Sequence, residues 1–170
     1  MEGALLDACN DLALGGAETL SPVCVSYALL KLGVQPEEVS RLLSWQDFER
    51  LTAAILQVSG FEARRNVVLT KPRAQLDVVA KGTSLILSID CKHYSRGHGP
   101  ASLRRFALAQ LARSKLFRMK LDDKRPIASV VLTMSEPEGR FVDGVAVVPI
   151  RTLRSFLTTI DSYTDLLDLK

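Results

Sequence analysis

The stretch QLDVVAKGTSLILSIDCK, residues 75–92, alternates polar and apolar side chains on both sides of Gly82-Thr83. Such alternation is typical of β-strands, and glycine at the first central position suits a type II′ hairpin turn. The pattern therefore predicts a hairpin with strands at residues 75–80 and 84–92. A two-residue turn at Gly82-Thr83 would place Asp77 opposite Ser88.

Successive side chains of a strand face opposite sides of the sheet. On the second strand this puts Asp90 and Lys92 on one side, about 7 Å apart at ~3.3 Å per residue. Asp77 then lies diagonal to Asp90 on the same side, with roughly 7 to 8 Å between the backbones. The opposite, apolar side is formed by Leu76, Val78, Ala80, Leu85, Leu87, Ile89 and Cys91. The hairpin thus gathers two carboxylates and an amine on its polar side.

Two carboxylates at that spacing can share one hard cation, and Mg²⁺ prefers such oxygen ligands. A bound cation would polarise a phosphodiester and lower the pKa of an attacking water. Lys92 would orient that water and offset charge on phosphorus. The competing interpretation is that Asp-x-Lys marks an ordinary solvated strand edge.

The residues before the hairpin predict a helix that brings a third carboxylate. Ser44 and Asp47 have the spacing of a capping box, so the helix should span residues 44–59 and end before Gly60. Glu49 follows Trp45 by one turn and lies at the margin of the apolar stripe. It would complete the cation shell, directly or through water, unless it forms an ordinary ion pair.

Other segments complete an α/β pattern. Further predicted elements are strands at residues 66–70, 127–133 and 145–149, and helices at residues 102–120 and 152–159. The order α-β-β-β-α-β-β-α describes a small sheet flanked by helices. Residues 1–43 read as a helical extension of two or three short helices, and residues 44–170 as the main domain. The extension is either a dimer or partner surface or a packing appendage.

The composition, 47% hydrophobic and 24% charged, is that of a folded globular protein and excludes a disordered chain. Between residues 60 and 126 there are fifteen Lys or Arg against five Asp or Glu, whereas the remaining residues carry seven against fourteen. A basic middle segment would attract a polyphosphate such as DNA. A solvated basic face without a partner is the alternative.

No apolar run reaches the about eighteen residues that cross a bilayer, and the start lacks a basic secretory n-region. We therefore expect no membrane association. Three cysteines, Cys9, Cys24 and Cys91, lack disulfide or zinc spacing and are expected to be reduced and buried. Together these features predict a cytoplasmic protein.

The order of Glu49, Leu76-Asp77 and Asp90-Cys91-Lys92 resembles the PD-(D/E)xK nuclease superfamily, which has the restriction-endonuclease-like fold. Within it, the chain looks most similar to Mrr-like and archaeal Holliday-junction-resolvase-like nucleases. The resemblance covers residues 44–149. It departs in having Leu76 where proline is usual and Asp90 where glutamate is commoner. RecB-type exonucleases are not matched, because Ser114 stands where they carry tyrosine.

This resemblance implies a Mg²⁺-dependent phosphodiesterase in which Mn²⁺ can substitute. Asp77 and Asp90 would bind the metal, Glu49 would support it, and Lys92 would assist the nucleophile. The expected function is endonucleolytic cleavage of DNA, with branched or repair and recombination intermediates among the candidate substrates. The alternative is a catalytically silent nuclease-fold module that binds DNA within a larger DNA-processing complex. A two-fold symmetric homodimer would suit the cutting of two strands.

Basic residues around the motif are candidates for DNA contact. The helix predicted at residues 102–120 could follow a phosphate backbone, or its basic face could simply be solvated. Its basic residues are Arg104, Arg105, Arg113, Lys115, Arg118 and Lys120. The DNA-contact residues that we predict are Arg64, Arg65, Arg73, His93, Arg96, Arg104 and Arg105.

Overall fold

The computed structural model of the chain describes residues 21–93 and 99–167, together with Asn10. The described strands are β1 (Glu62–Thr70), β2 (Arg73–Lys81), β3 (Ile86–Lys92), β4 (Ile127–Thr133), β5 (Phe141–Val142) and β6 (Val145–Pro149). The α-helices are α1 (Pro22–Lys31), α2 (Pro36–Val39), α3 (Trp45–Val58), α4 (Pro100–Arg118) and α5 (Leu153–Thr159). Short 3-10 helices span Ser40–Leu42, Ile150–Thr152 and Ile160–Leu166. The predicted α/β class and restriction-endonuclease-like fold are confirmed.

The strands form one mixed sheet in the order β1-β2-β3-β4-β6-β5. Strands β3 and β4 are parallel, as are β4 and β6, whereas the other neighbours are antiparallel. Helix α4 supplies the crossover that a parallel β3-β4 pair requires. Consequently the carboxyl ends of β3, β4 and β6 lie at one edge of the sheet, together with the amino end of β2.

Helices cover both faces of the sheet. Phe48, Leu51 and Ile55 of α3 share a buried cluster with Leu87 and Ile89 of β3. On the other face, Leu103 and Ala107 of α4 pack with Val131 and Val147. The side of β3 that alternation marks as polar is therefore covered by α4, and Ile86, Ser88 and Asp90 are all buried there.

The predicted register of the β2-β3 hairpin is wrong by two residues. Lys81 pairs with Ile86 and Val78 with Ile89, so extension of this register puts Asp77 opposite Asp90 instead of Ser88. The reason is a longer connection, in which the Gly82 N–H donates to the Leu85 carbonyl at 2.9 Å. A shift of two residues does not by itself change the side on which a side chain lies, because the side-chain period of a strand is two.

Strand β5 was not predicted, although the sequence carries a signal for it. Asp143 and Gly144 both have positive φ, at 50° and 78°, and join β5 to β6 as a two-residue turn. Asp-Gly is a favoured sequence for such turns, because both central residues need positive φ. The strand is only two residues long, so alternation alone does not reveal it.

The described part of the N-terminal segment packs into the main core. Val23, Tyr27 and Leu30 of α1 join the same buried cluster as α3. Arg151 donates to the Val34 carbonyl at 2.8 Å, and Arg154 donates to the Tyr27 hydroxyl at 2.9 Å. These contacts tie residues 22–34 to the beginning of the closing helical segment.

The expectation of three reduced cysteines is wrong for Cys24, which is disulfide-bonded. Cys91 is free and half-buried, as predicted for a reduced thiol. Cys9 lies outside the described residues.

None of the helices in the described part of the chain is long and apolar enough to span a membrane.

We predict that Ser44→Ala lowers the free energy of unfolding by about 1 kcal/mol, because it removes the cap of helix α3. The Ser44 hydroxyl accepts from the Asp47 N–H at 3.1 Å, and the Asp47 carboxylate accepts from the Ser44 N–H at 3.2 Å. Urea denaturation measures the change. Exposed Ser84 provides the control, and Ser84→Ala should alter stability by less than about 0.5 kcal/mol. Equal effects of the two substitutions would show that the cap contributes nothing.

Candidate active site

The candidate site lies where strands β2 and β3 separate. Their pairing ends at Val78 and Ile89, and the next residues toward the edge of the sheet are Asp77 and Asp90. There the Cys91 N–H donates to Asp77 Oδ2 at 2.8 Å. A carboxylate thus takes the hydrogen bond of a strand backbone group, and this bond fixes Asp77 beside β3.

Strand β1 also departs from regular geometry at this position. Asn66 has a φ of 53°, and the β1-β2 pairing continues on either side of Asn66 and Asp77 but skips both. Leu76 packs with Leu69 and Val79, not with Val78 and Ala80 as predicted. Regular alternation therefore breaks at Asp77. Asparagine tolerates this left-handed backbone better than most residues.

Glu49 is buried on helix α3, with only 3% of its surface exposed. Its Oε2 is buried and has no hydrogen-bond partner. The pKa of Glu49 is raised to about 7, chiefly by burial and also by the nearby Asp77 charge, while the Arg65 charge opposes the rise. The structure thus brings Glu49 close enough to Asp77 for their charges to interact.

Asp90 is buried between two cations. Arg113 donates to Asp90 Oδ1 at 2.6 Å, and Lys92 Nζ lies 2.8 Å from Asp90 Oδ2. The contact with Lys92 is an ion pair without hydrogen-bond geometry. Asp90 Oδ2 is therefore buried without a hydrogen-bond partner. Lys92 also lies 4.9 Å from the centre of the Phe106 ring. Asp90 and Lys92 therefore share one side of β3, as predicted.

The charges of the site act on one another. Burial raises the pKa of Asp77, whereas the bond from the Cys91 N–H lowers it. The Asp90 charge raises the same pKa, and the charges of Lys92 and Arg113 lower it. The structure therefore brings together all four predicted catalytic residues, Glu49, Asp77, Asp90 and Lys92.

Sequence reasoning missed the place of Arg113, which it assigned to the basic outer surface of helix α4. Arg113 instead pairs with Asp90, and its Nε donates to Gln110 Oε1 at 3.1 Å. A sequence signal exists, because Arg113 follows Gln110 by three residues and precedes Phe117 by four. Gln110 and Phe117 are both buried, so this helix face points inward.

The donor set fits a hard divalent cation, although the side chains are not arranged around one. Among the described residues, no three His, Cys, Asp or Glu side chains form a cluster that could hold a metal ion as they stand. Asp90 is paired with Arg113 and Lys92, and Asp77 is bonded to the Cys91 N–H. Two buried oxygens without hydrogen-bond partners, Glu49 Oε2 and Asp90 Oδ2, nevertheless remain. A cation would give Glu49 Oε2 the partner that a buried carboxylate oxygen needs, and it would add a ligand bond at Asp90 Oδ2, which has only its ion pair with Lys92.

The predicted DNA-contact residues occupy different environments. Arg73, Arg104 and Arg105 are exposed, and all three belong to segments at the edge of the sheet that carries the carboxylates. Arg104 pairs with Asp143 at 3.1 Å. Arg64 and Arg65 are exposed on β1, where Arg64 pairs with Glu62 at 2.8 Å. Arg96 lies outside the described residues.

His93 is half-buried next to the motif lysine. Its Nε2 lies 3.0 Å from the Ser40 carbonyl, and its ring packs 5.7 Å from the Phe48 ring. This position ties the end of β3 to the N-terminal segment. A structural anchor therefore accounts for His93 without a DNA contact.

The mixed sheet with helices on both faces agrees with the restriction-endonuclease-like fold, and the family comparison supports a nuclease of this class. Residues 40–117 match the Mrr catalytic-domain family, described as a restriction endonuclease. A protein of Archaeoglobus fulgidus, described as uncharacterized, is 34% identical over 124 residues, which are 71% of this chain and 95% of that protein. The chain belongs to the Mrr-type restriction endonuclease family, and domains of this kind typically use divalent metals. No solved structure matches the chain.

We predict that Glu49→Gln becomes more stabilising, relative to the unsubstituted protein, as pH rises from about 5 to about 8 in EDTA. Folding raises the pKa of Glu49 from 4.5 to about 7. Such a carboxyl contributes its full stability below its unfolded pKa and loses it as pH rises through the folded pKa. The neutral amide of glutamine has no such loss.

Urea unfolding at the two pH values measures this change. Exposed Gln57 on the same helix supplies the control, because Gln57→Ala removes no titratable group and should give a difference from the unsubstituted protein that does not change with pH. A pH-independent difference for Glu49→Gln would contradict the raised pKa.

Proposed function

We infer that the protein is a divalent-metal-dependent endonuclease that hydrolyses DNA phosphodiester bonds, with Mg²⁺ as its metal and Mn²⁺ as a substitute. The observation that carries this inference is the convergence of three carboxylates and Lys92 at one edge of the sheet. Two of their buried oxygens, Glu49 Oε2 and Asp90 Oδ2, lack hydrogen-bond partners. Membership of a nuclease family gives the same chemistry independent support.

Asp77, Asp90 and Glu49 would hold the metal. When bound, such a cation polarises the phosphate and lowers the pKa of water. Glu49 would bind it as a carboxylate and would therefore first lose the proton that its raised pKa favours. Asp90 would offer Oδ2 to the metal, and a cationic partner could leave to make room for it. Lys92 is the better candidate to move, because its ammonium is a single charge on a flexible stem.

Lys92 would then act on the reacting atoms. Hydrolysis joins a water oxygen to phosphorus and breaks a bond from phosphorus to a sugar oxygen. The water gives up a proton, and the departing sugar oxygen gains one. Lys92, released from Asp90, would orient the water and offset negative charge on the phosphate oxygens. The Lys92 ammonium also lies over the Phe106 ring, a contact that would favour its position beside the site.

The DNA would lie across the carboxylate edge of the sheet. Arg73, Arg104 and Arg105 would bind phosphates there, and Arg64 and Arg65 would add to them from β1. Arg64 and Arg104 would each exchange a carboxylate partner, Glu62 and Asp143, for a phosphate. His93 would contribute less, because it is bound to the Ser40 carbonyl. Branched or repair and recombination intermediates are our candidate substrates. We also propose a cytoplasmic homodimer that cuts both strands, and a protein partner that contacts the surface of the N-terminal segment not packed into the core.

We predict that Asp90→Ala and Lys92→Ala each lower cleavage of plasmid or branched DNA in Mg²⁺ by orders of magnitude, as losses of several kcal/mol of transition-state stabilisation do. DNA binding should persist, because the basic surface is unchanged. Cys91→Ala is the matched control, because it keeps the backbone N–H that binds Asp77 and should cleave normally. A protein that binds DNA but does not cleave it under any metal would favour the silent binding module. Cleavage by both variants at the unsubstituted rate would reject the mechanism.

We predict that replacing Arg104 and Arg105 together by Ala flattens the dependence of log K for DNA on log salt, because fewer counterions are released. Fluorescence anisotropy over a salt series measures the slope. The matched control replaces Lys115 and Lys120, which lie toward the opposite end of the same helical region and should leave the slope nearly unchanged. If the Lys115 and Lys120 substitutions flatten the slope and the Arg104 and Arg105 substitutions do not, the DNA does not bind at the beginning of α4.

A further inference from the structure

Arg113 is held by a chain of hydrogen bonds that starts in the strand carrying Asp90. Gln110 is fully buried, and its Nε2 donates to the Ser88 carbonyl at 2.7 Å and to the Ser88 hydroxyl at 2.9 Å. Gln110 Oε1 accepts from Arg113 Nε at 3.1 Å, and Arg113 then donates to Asp90 Oδ1 at 2.6 Å. Ser88 and Asp90 are two residues apart on β3. The guanidinium is therefore fixed with respect to the strand that it serves.

The two oxygens of Asp90 have different partners. Oδ1 receives the short, well-formed bond from Arg113, whereas Oδ2 faces Lys92 without hydrogen-bond geometry. Asp77 is held in a similar way, since its Oδ2 accepts from the Cys91 N–H. Each aspartate is thus fixed through one oxygen by a donor that cannot easily move.

The two cations on Asp90 also differ in mobility. Lys92 has a flexible stem and a single ammonium, so it can leave Oδ2 when a metal arrives. Arg113 has a planar group that is bound at Nε by Gln110 and at a terminal nitrogen by Asp90. Partners that orient a metal ligand in this way commonly change metal affinity or activity 10- to 100-fold when removed.

We propose that Arg113, anchored by Gln110, is a positioning residue that holds Asp90 Oδ1 and so presents Oδ2 to the metal. This role rests on the proposed function, because it requires Asp90 to be a metal ligand. It differs from simple charge neutralisation, which any cation at this position would provide.

Arg113→Lys separates these two roles, because it keeps the positive charge but loses the planar group that joins Gln110 to Asp90. Binding of Mn²⁺ without DNA is measured from the electron paramagnetic resonance signal of the free ion. We expect Arg113→Lys to weaken Mn²⁺ binding about 10-fold or more. The matched control is Arg154→Lys, because Arg154 is hydrogen-bonded to Tyr27 between other helices, and its Mn²⁺ affinity should equal that of the unsubstituted protein.

Gln110→Met provides a second test in case Arg113→Lys does not fold, which thermal unfolding will show. It keeps both charges of the Arg113-Asp90 pair and removes the hydrogen bonds that join Gln110 to Arg113 and to Ser88, so we expect weaker Mn²⁺ binding again. At saturating Mn²⁺, Arg113→Lys should recover most of its cleavage, whereas Asp90→Ala should not.

The outcomes distinguish this inference from the proposed function. Normal Mn²⁺ affinity in Arg113→Lys, or in Gln110→Met where the first variant does not fold, would overturn the positioning role and leave the nuclease function standing. An unsubstituted protein that binds no Mn²⁺ would overturn both. Weakened binding in Arg113→Lys with an unchanged Arg154→Lys would support the role.

Discussion

The separation of β2 from β3 beyond Val78 and Ile89 is the constraint on which the candidate site depends. Had the pairing continued, the Cys91 N–H would be satisfied by a backbone carbonyl. Instead it is satisfied by the Asp77 carboxylate. The sheet loses ordinary strand pairing at this point and gains a fixed acidic side chain at its edge. The left-handed Asn66 on the neighbouring strand lies at the same level, so the irregularity extends across two strands.

Burial of the acidic groups follows from covering both faces of the sheet. Helix α3 brings Glu49 from one face, and helix α4 brings Arg113 to Asp90 from the other. Asp90 has two cationic partners, whereas Glu49 has a buried oxygen without a hydrogen-bond partner. Sites that depart from the rule that buried polar groups are paired are commonly functional. Here the departure occurs at the residues that the nuclease motif singles out.

Much of the fold could be predicted because its signals are local. The capping residues at Ser44 and Asp47 define the start of α3, and β4 and β6 have the predicted bounds. The register of the hairpin could not be predicted, because a turn of two residues and a connection of four fit the same alternation. The inward turn of Arg113 depends on which face of the sheet α4 covers, and a single helix sequence rich in Lys and Arg gives little indication of that. The break at Asp77 coincides with the left-handed Asn66, eleven residues earlier on the neighbouring strand, so it is not visible in the local sequence.

The four-residue connection from Gly82 to Leu85 has a consequence for how the hairpin can misfold. A slip of two residues would keep the same side of β3 facing α3, so the alternation of polar and apolar residues does not oppose it. A slip of one residue would turn those side chains toward Arg113 and drive Asp90 into the apolar core, which is far more costly. The core therefore selects between odd and even alignments of the two strands. Alignments that differ by two residues are distinguished by polar contacts at the edge of the sheet. The hydrogen bond from the Cys91 N–H to Asp77 therefore also helps to fix the register of β2 and β3.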